Sequence, residues 1–176
     1  IAEVMLGAAK PFELMLGKVI GGVAVSLTGS VFYVGGGSAA LIGMAQTQLV
    51  PWGLLPWFFA YLLGAAVMFG GLFAGLGAAC SDAKDAQTLQ LPAMLPVLIP
   101  MFVLGPVLKE PNSLVATWMS LMPPFAPTLM LLRQALPGGV PLWQPVVALV
   151  GVLLCAVLSV WAGGRIFRVG ILLQGK

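Results

Sequence analysis

Long apolar blocks dominate the chain, and a few charged residues punctuate them. Residues 19–81, between Lys18 and Asp82, carry no charge at all. One membrane helix needs about 20 apolar residues, so this stretch is long enough to cross twice. Its natural break is the polar, proline-bearing segment Gln46-Thr47-Gln48 with Pro51, Trp52, Gly53 and Pro56. The pattern predicts spans near 19–44 and 54–79, with Trp52, Trp57 and Tyr61 near one interface, where amphipathic rings are favoured. Ser81–Gln87 is the most polar stretch and reads as a short loop outside the bilayer. A third span is expected near 91–108, ending at Lys109-Glu110-Pro111-Asn112, and a last one near 141–164. The tail 165–176 carries Arg165, Arg168 and Lys176.

Two segments do not read as spans. Residues 113–132 are apolar, but Pro123, Pro124 and Pro127 break them in the middle. If this segment does not cross, Lys10, Lys18, Lys84, Arg165, Arg168 and Lys176 share one side, against Lys109 and Arg133 on the other. If it crosses, the split becomes four to four. The excess of Lys and Arg on cytoplasmic loops favours the first arrangement. It makes 113–132 a re-entrant or interfacial helical hairpin on the outer side, with Pro123, Pro124 and Pro127 at its turn. Irregular backbone at that depth is tolerated only against protein or a wet cavity. Residues 1–17 hold two short amphipathic pieces, the second opened by Pro11, which suits a first helical turn. Neither is long enough to cross, so both are expected on the membrane surface or against a partner.

Composition agrees with this reading. Of 176 residues, 60% are hydrophobic and 7% charged, against about 25% charged in a soluble domain. So few charges cannot coat a water-soluble globule. A net charge of +3 is too sparse for a nucleic-acid face. The expectation is an all-α membrane protein of about four transmembrane helices in a cell membrane. The first residue is Ile, and no basic stub with a cleavable apolar core precedes the first span; the chain reads as lacking its start.

The candidate chemistry is narrow. There is no histidine, which removes imidazole catalysis and ligation. Cys80 and Cys155 form no CxxC motif and read as small apolar core residues. No metal or cofactor site is expected. The predicted spans hold no ionisable side chain, unlike a proton relay. A self-contained antiporter and an intramembrane protease are therefore poor fits. Gly35-Gly36-Gly37-Ser38 lacks a following Lys and reads as a closely packed point, not a phosphate cradle. Gly17/Gly21 and Gly71/Gly75 are GxxxG pairs that would let helices approach closely, with Ala39/Gly43 similar. Pro92, Pro96 and Pro100 recur every four residues and share one face of the third span. They are either a static kink, or a hinge or path-lining face with freed carbonyls.

Four segments together resemble a known family. They are Glu3-Val4-Met5-Leu6 with Lys10-Pro11-Phe12-Glu13-Leu14-Met15-Leu16-Gly17-Lys18; Ser81–Gln90 followed by the proline-rich span; Met122-Pro123-Pro124-Phe125-Ala126-Pro127 with Arg133; and Phe167-Arg168-Val169-Gly170-Ile171-Leu172 with Gly175-Lys176. In this order they are similar to ABC-type exporter permeases of the sodium-extrusion kind. Ala8-Ala9-Lys10 departs from the small polar residues common there. The resemblance implies a permease half of six membrane helices, of which this chain is the C-terminal part. It implies a partner ATPase that carries ATP and Mg, and a second permease half, equal or different. It also implies a cytoplasmic coupling segment, residues 1–18, with Glu3, Lys10, Pro11, Phe12, Glu13, Leu14 and Lys18 facing the ATPase. The expected setting is a bacterial inner membrane. The substrate is sodium or an amphipathic organic molecule, met in the spans by Ser26, Thr28, Ser30, Tyr33 and Ser38. The competing reading is a structural or regulatory membrane subunit that transports nothing.

Overall fold

A computed structural model describes residues 11–80 and 83–174. Among them every regular element is helical: α1 Pro11–Gly43, a 3-10 turn Thr47–Leu49, α2 Leu55–Ala79, α3 Ala83–Lys109, α4 Leu114–Leu121, α5 Ala126–Ala135 and α6 Trp143–Gln174. Four of these, α1, α2, α3 and α6, are long and apolar enough to cross a bilayer. The all-α architecture and the four spans are as the apolar pattern predicts.

Local chemistry sets the ends. Pro11 opens α1 and Glu13 lies in its first turn, where a carboxylate complements the helix dipole. The helix closes on Ala45, at φ 57°, with Gln46 N–H donating to Leu41 O at 2.9 Å and Ala45 N–H to Ile42 O at 3.0 Å. This is a Schellman closure with alanine where glycine is usual. Ser113 caps α4 by accepting from Ala116 N–H at 3.2 Å. Pro123 and Pro124 supply the break before α5, and Pro127 falls in its first turn.

Three helices run further than the sequence pattern implies. The expected loop Ser81–Gln87 is helical from Ala83, while Ser81 and Asp82 lie outside the described residues. Ala, Lys and Gln are good helix formers, Asp85 sits in the first turn, and Thr88 Oγ1 folds back onto Lys84 O at 3.0 Å. The tail after residue 164 continues α6 to Gln174. Pro11–Lys18 is no separate surface helix; it is the first two turns of α1. At 33 and 32 residues, α1 and α6 are each about 50 Å long, against about 30 Å of hydrocarbon. Both therefore project beyond the bilayer.

Contacts fix the up–down order. Phe12, at the start of α1, lies against Gly164, near the end of α6. Tyr61 Oη, near the start of α2, donates to Pro145 O at the start of α6, at 2.7 Å. Pro111, after α3, meets Arg133 on α5. The start of α1 and the end of α6 thus share one side, which requires an even number of crossings. With four spans, α4 and α5 leave and return on the opposite side. At 8 and 10 residues they are too short to cross.

The core has two parts. Tyr61, Ala126, Met130, Ala148 and Val152 join α2, α5 and α6, and Val107, Ala116 and Leu129 join α3, α4 and α5. Along α2 and α6 the helices meet almost without side chains. A Cβ on Gly75 would lie 2.8 Å from Gly163 Cα, and one on Gly71 would lie 2.9 Å from Val160 N. Only glycine permits so close an approach. The other small-residue runs behave differently: a Cβ at Gly17, Gly21, Gly35, Gly36, Gly37 or Gly43 would meet nothing within 4 Å.

Candidate functional site

The projecting ends of α1 and α6 form the first candidate site. Met15 and Val19 are buried, and Phe12 packs on the same side. This is the i, i+3, i+7 stripe of a helix with one buried face. It docks on two glycines: a Cβ on Gly164 would lie 2.8 Å from Phe12 Cδ2, and one on Gly163 would lie 3.4 Å from Met15 Sδ. The apolar face of the segment is therefore occupied within this chain. Glu13, Gly17 and Lys18 are exposed and Leu14 is half-buried. Of the other residues assigned to coupling, Pro11 contributes the helix start, and Glu3 and Lys10 lie outside the described residues. The role of Gly163 and Gly164 was hidden in the sequence, because a Gly-Gly pair late in an apolar helix does not name its partner.

The prolines of α3 are the second. Helix continues through Pro92, Pro96, Pro100 and a fourth, Pro106. Each lacks an N–H, so the carbonyls of Thr88, Pro92, Pro96 and Phe102 have no partner four residues on. Pro92 is exposed, Pro96 half-buried and Pro100 fully buried. The row marks the passage from a bare half of α3 to the half held by Val103, Leu104 and Val107 against α4 and α5.

The hairpin is the third. Its pin is Arg133, 1% exposed. Nε donates to Pro111 O at 2.6 Å, Nη1 to Ser120 Oγ at 2.5 Å, and Nη2 to Thr117 Oγ1 at 3.2 Å and Asn112 Oδ1 at 3.4 Å. One side chain thereby ties the α3–α4 connection, α4 and α5 together. Among the described residues no carboxylate pairs with it; polar oxygens alone offset its burial. The signal was present in the sequence, since Arg133 is the single charge between Glu110 and Arg165. At the turn, Pro123 seats on α6, where a Cβ on Gly151 would lie 3.3 Å from its Cγ. Beside the pin opens a polar cavity of about 550 Å³, lined by Asn112, Thr117, Gln144 and the Gly138–Gly139 turn. Both glycines have positive φ, 105° and 66°, which a side chain would strain. These features bring Pro123, Pro124 and Pro127 to one end of the molecule and Phe12–Lys18 to the other.

A bundle of four membrane-length helices with a pinned hairpin at one end and projecting helices at the other is a multi-pass membrane protein. Residues 1–165 match the family described as ABC-2 family transporter protein, and the chain belongs to that family. It is similar to "Uncharacterized protein YhaP" of Bacillus subtilis, at 26% identity over all of this chain and 45% of that protein. It is also similar to "Uncharacterized protein MJ1024" of Methanocaldococcus jannaschii, at 27% identity over 98% of this chain and 42% of that protein. The chain thus spans less than half the length of these curated relatives. No solved structure matches it.

Proposed function

We propose that this chain is the C-terminal part of the permease subunit of an ATP-driven ABC exporter. The observation that carries the reading is the docking of Phe12 and Met15 on Gly163 and Gly164. Two helical turns, Pro11–Lys18, project about 12 Å from the bilayer, with their apolar face held by α6 and Glu13 and Lys18 turned outward. Family membership supports an ATPase partner seated there, on the cytoplasmic side. Force on the outward face reaches α6 through Phe12, and α2 through the Gly163–Gly71 and Gly163–Gly75 contacts. The proline row of α3 is the joint that lets its bare half swing while the hairpin holds the other half. The ATPase supplies ATP hydrolysis and Mg, a second permease half completes the path, and the substrate is sodium or an amphipathic organic molecule. The setting is a bacterial inner membrane, with the hairpin outside.

The test places a photo-crosslinking amino acid at Phe12 or Glu13 of the full-length protein, expressed in its own cell, with any ABC-type ATPase that crosslinks identified by mass spectrometry. The reading expects a crosslink to that ATPase whose yield changes with ATP. Crosslinks confined to lipid, with no ATPase associating at all, would support the non-transporting structural subunit instead.

A further inference from the structure

We infer a binding site for one anionic phospholipid in the groove between the start of α1, the middle of α2 and the end of α6. Two cavities meet there. One, about 520 Å³, is lined almost wholly by apolar side chains, among them Leu16, Val67, Leu153 and Val157. The other, about 470 Å³, is lined by Gly164, Arg165, Arg168 and Val169. Phe12 and Trp161 line both, so the two adjoin. The sizes fall in the range of small-molecule sites.

Chemistry and length name the occupant. Arg165 and Arg168 are three residues apart and so share a helix face. The Arg165 guanidinium lies 4.3 Å over the Trp161 ring, which holds it at the mouth of the apolar groove. Among the described residues that line the basic cavity there is no carboxylate. A phosphate between them would meet planar donors suited to it. The groove faces the bilayer, with Leu153 48% and Val157 67% exposed. From Leu153 to Arg165 is 12 residues, about 18 Å along the helix. One leaflet of hydrocarbon is about 15 Å thick. Acyl chain and headgroup therefore fit the apolar and basic cavities at matching depths. Each arginine near an anionic surface is worth about fivefold in affinity. The bound lipid would rest on Phe12 and so lie against the segment assigned to coupling.

The experiment uses the full-length protein without any ATPase, so its outcome is separate from that of the coupling reading. Native mass spectrometry compares retention of phosphatidylglycerol and phosphatidylcholine of equal chain length. The parental protein should retain one phosphatidylglycerol at five- to twentyfold lower lipid concentration than phosphatidylcholine. Arg165→Gln with Arg168→Gln should abolish that preference, Arg165→Lys with Arg168→Lys should keep most of it, and Val157→Trp should reduce retention of both lipids. Equal retention by the parental protein would overturn the site, as would an undiminished preference in the glutamine pair. Absence of any retained lipid would also overturn it and assign the groove to protein.

Discussion

Replacing Gly163 by alanine should destabilise the bundle, although alanine is the better helix former by about 1 kcal/mol. The added Cβ would sit 2.5 Å from Gly71 O and 3.3 Å from Gly71 C, where ordinary contact begins near 3.4 Å. Both obstacles are backbone, so α2 and α6 must separate by roughly 1 Å, an overpacking strain of about 1–3 kcal/mol. The net loss is about 0–2 kcal/mol, and at about 2–4 °C per kcal/mol for a chain of this size the melting temperature falls by up to about 8 °C. Two neighbours provide controls. A Cβ on Gly77, also in α2, meets nothing within 4 Å, so Gly77→Ala should hold or raise the melting temperature. Gly164→Ala crowds the ring of Phe12, which is 46% exposed and can turn aside, and meets Met15 Cε at an ordinary 3.9 Å, so its effect on melting should be small. Thermal melts of the purified full-length protein in detergent, read by size exclusion, rank the three. If Gly163→Ala melts above the parent, the close backbone approach of α2 and α6 is wrong.

Arg133→Lys keeps the charge but cannot reach Pro111 O, Ser120 Oγ, Thr117 Oγ1 and Asn112 Oδ1 together. With hydrogen bonds to a charged group worth about 1.5–3 kcal/mol each, it should lose at least about 3 kcal/mol in melts, and parental stability would remove the pin. Pro96→Ala restores an N–H to Pro92 O, worth about 1 kcal/mol and a fivefold bias between two balanced packings. It should keep resting ATPase activity and lose substrate stimulation; transport at the parental rate with equal or higher thermal stability would mark a fixed kink. Cysteines at Thr47, Lys84 and Asn112, in a background without Cys80 and Cys155, report sidedness. Positions 47 and 112 should label from outside sealed cells, and labelling of 84 from outside would reverse the topology.

The spans were legible because burial in lipid leaves a one-dimensional mark: 63 uncharged residues from 19 to 81, broken by Pro51 and Pro56. The hairpin was legible for a similar reason, since the adjacent Pro123 and Pro124 with Pro127 divide an apolar stretch into pieces too short to cross on either side of them. Helix lengths were not. Residues 83–90 are polar enough to leave the bilayer, yet rich in Ala, Lys and Gln, which stay helical in water, and the charges of Arg165 and Arg168 marked an end to the span where the helix does not end. The docking of Phe12 on Gly164 was illegible because an apolar stripe states that it needs a partner, not which one. Arg133 was conspicuous as a lone charge, but its four acceptors lie 13 to 22 residues away and converge only through the fold. Ala45 carries a left-handed turn where glycine would have announced it.

The central claim is that Phe12 and Glu13 pass work between an ATPase and the bundle. It is tested most directly by ATP hydrolysis of the full-length protein, reconstituted in nanodiscs with the ATPase that crosslinks to it, beside Phe12→Ala and Glu13→Ala. The account predicts normal assembly and melting in both variants, with transport-linked hydrolysis reduced. Unchanged hydrolysis in both, with normal assembly, would contradict it and leave the projecting helix as a passive part of the membrane surface.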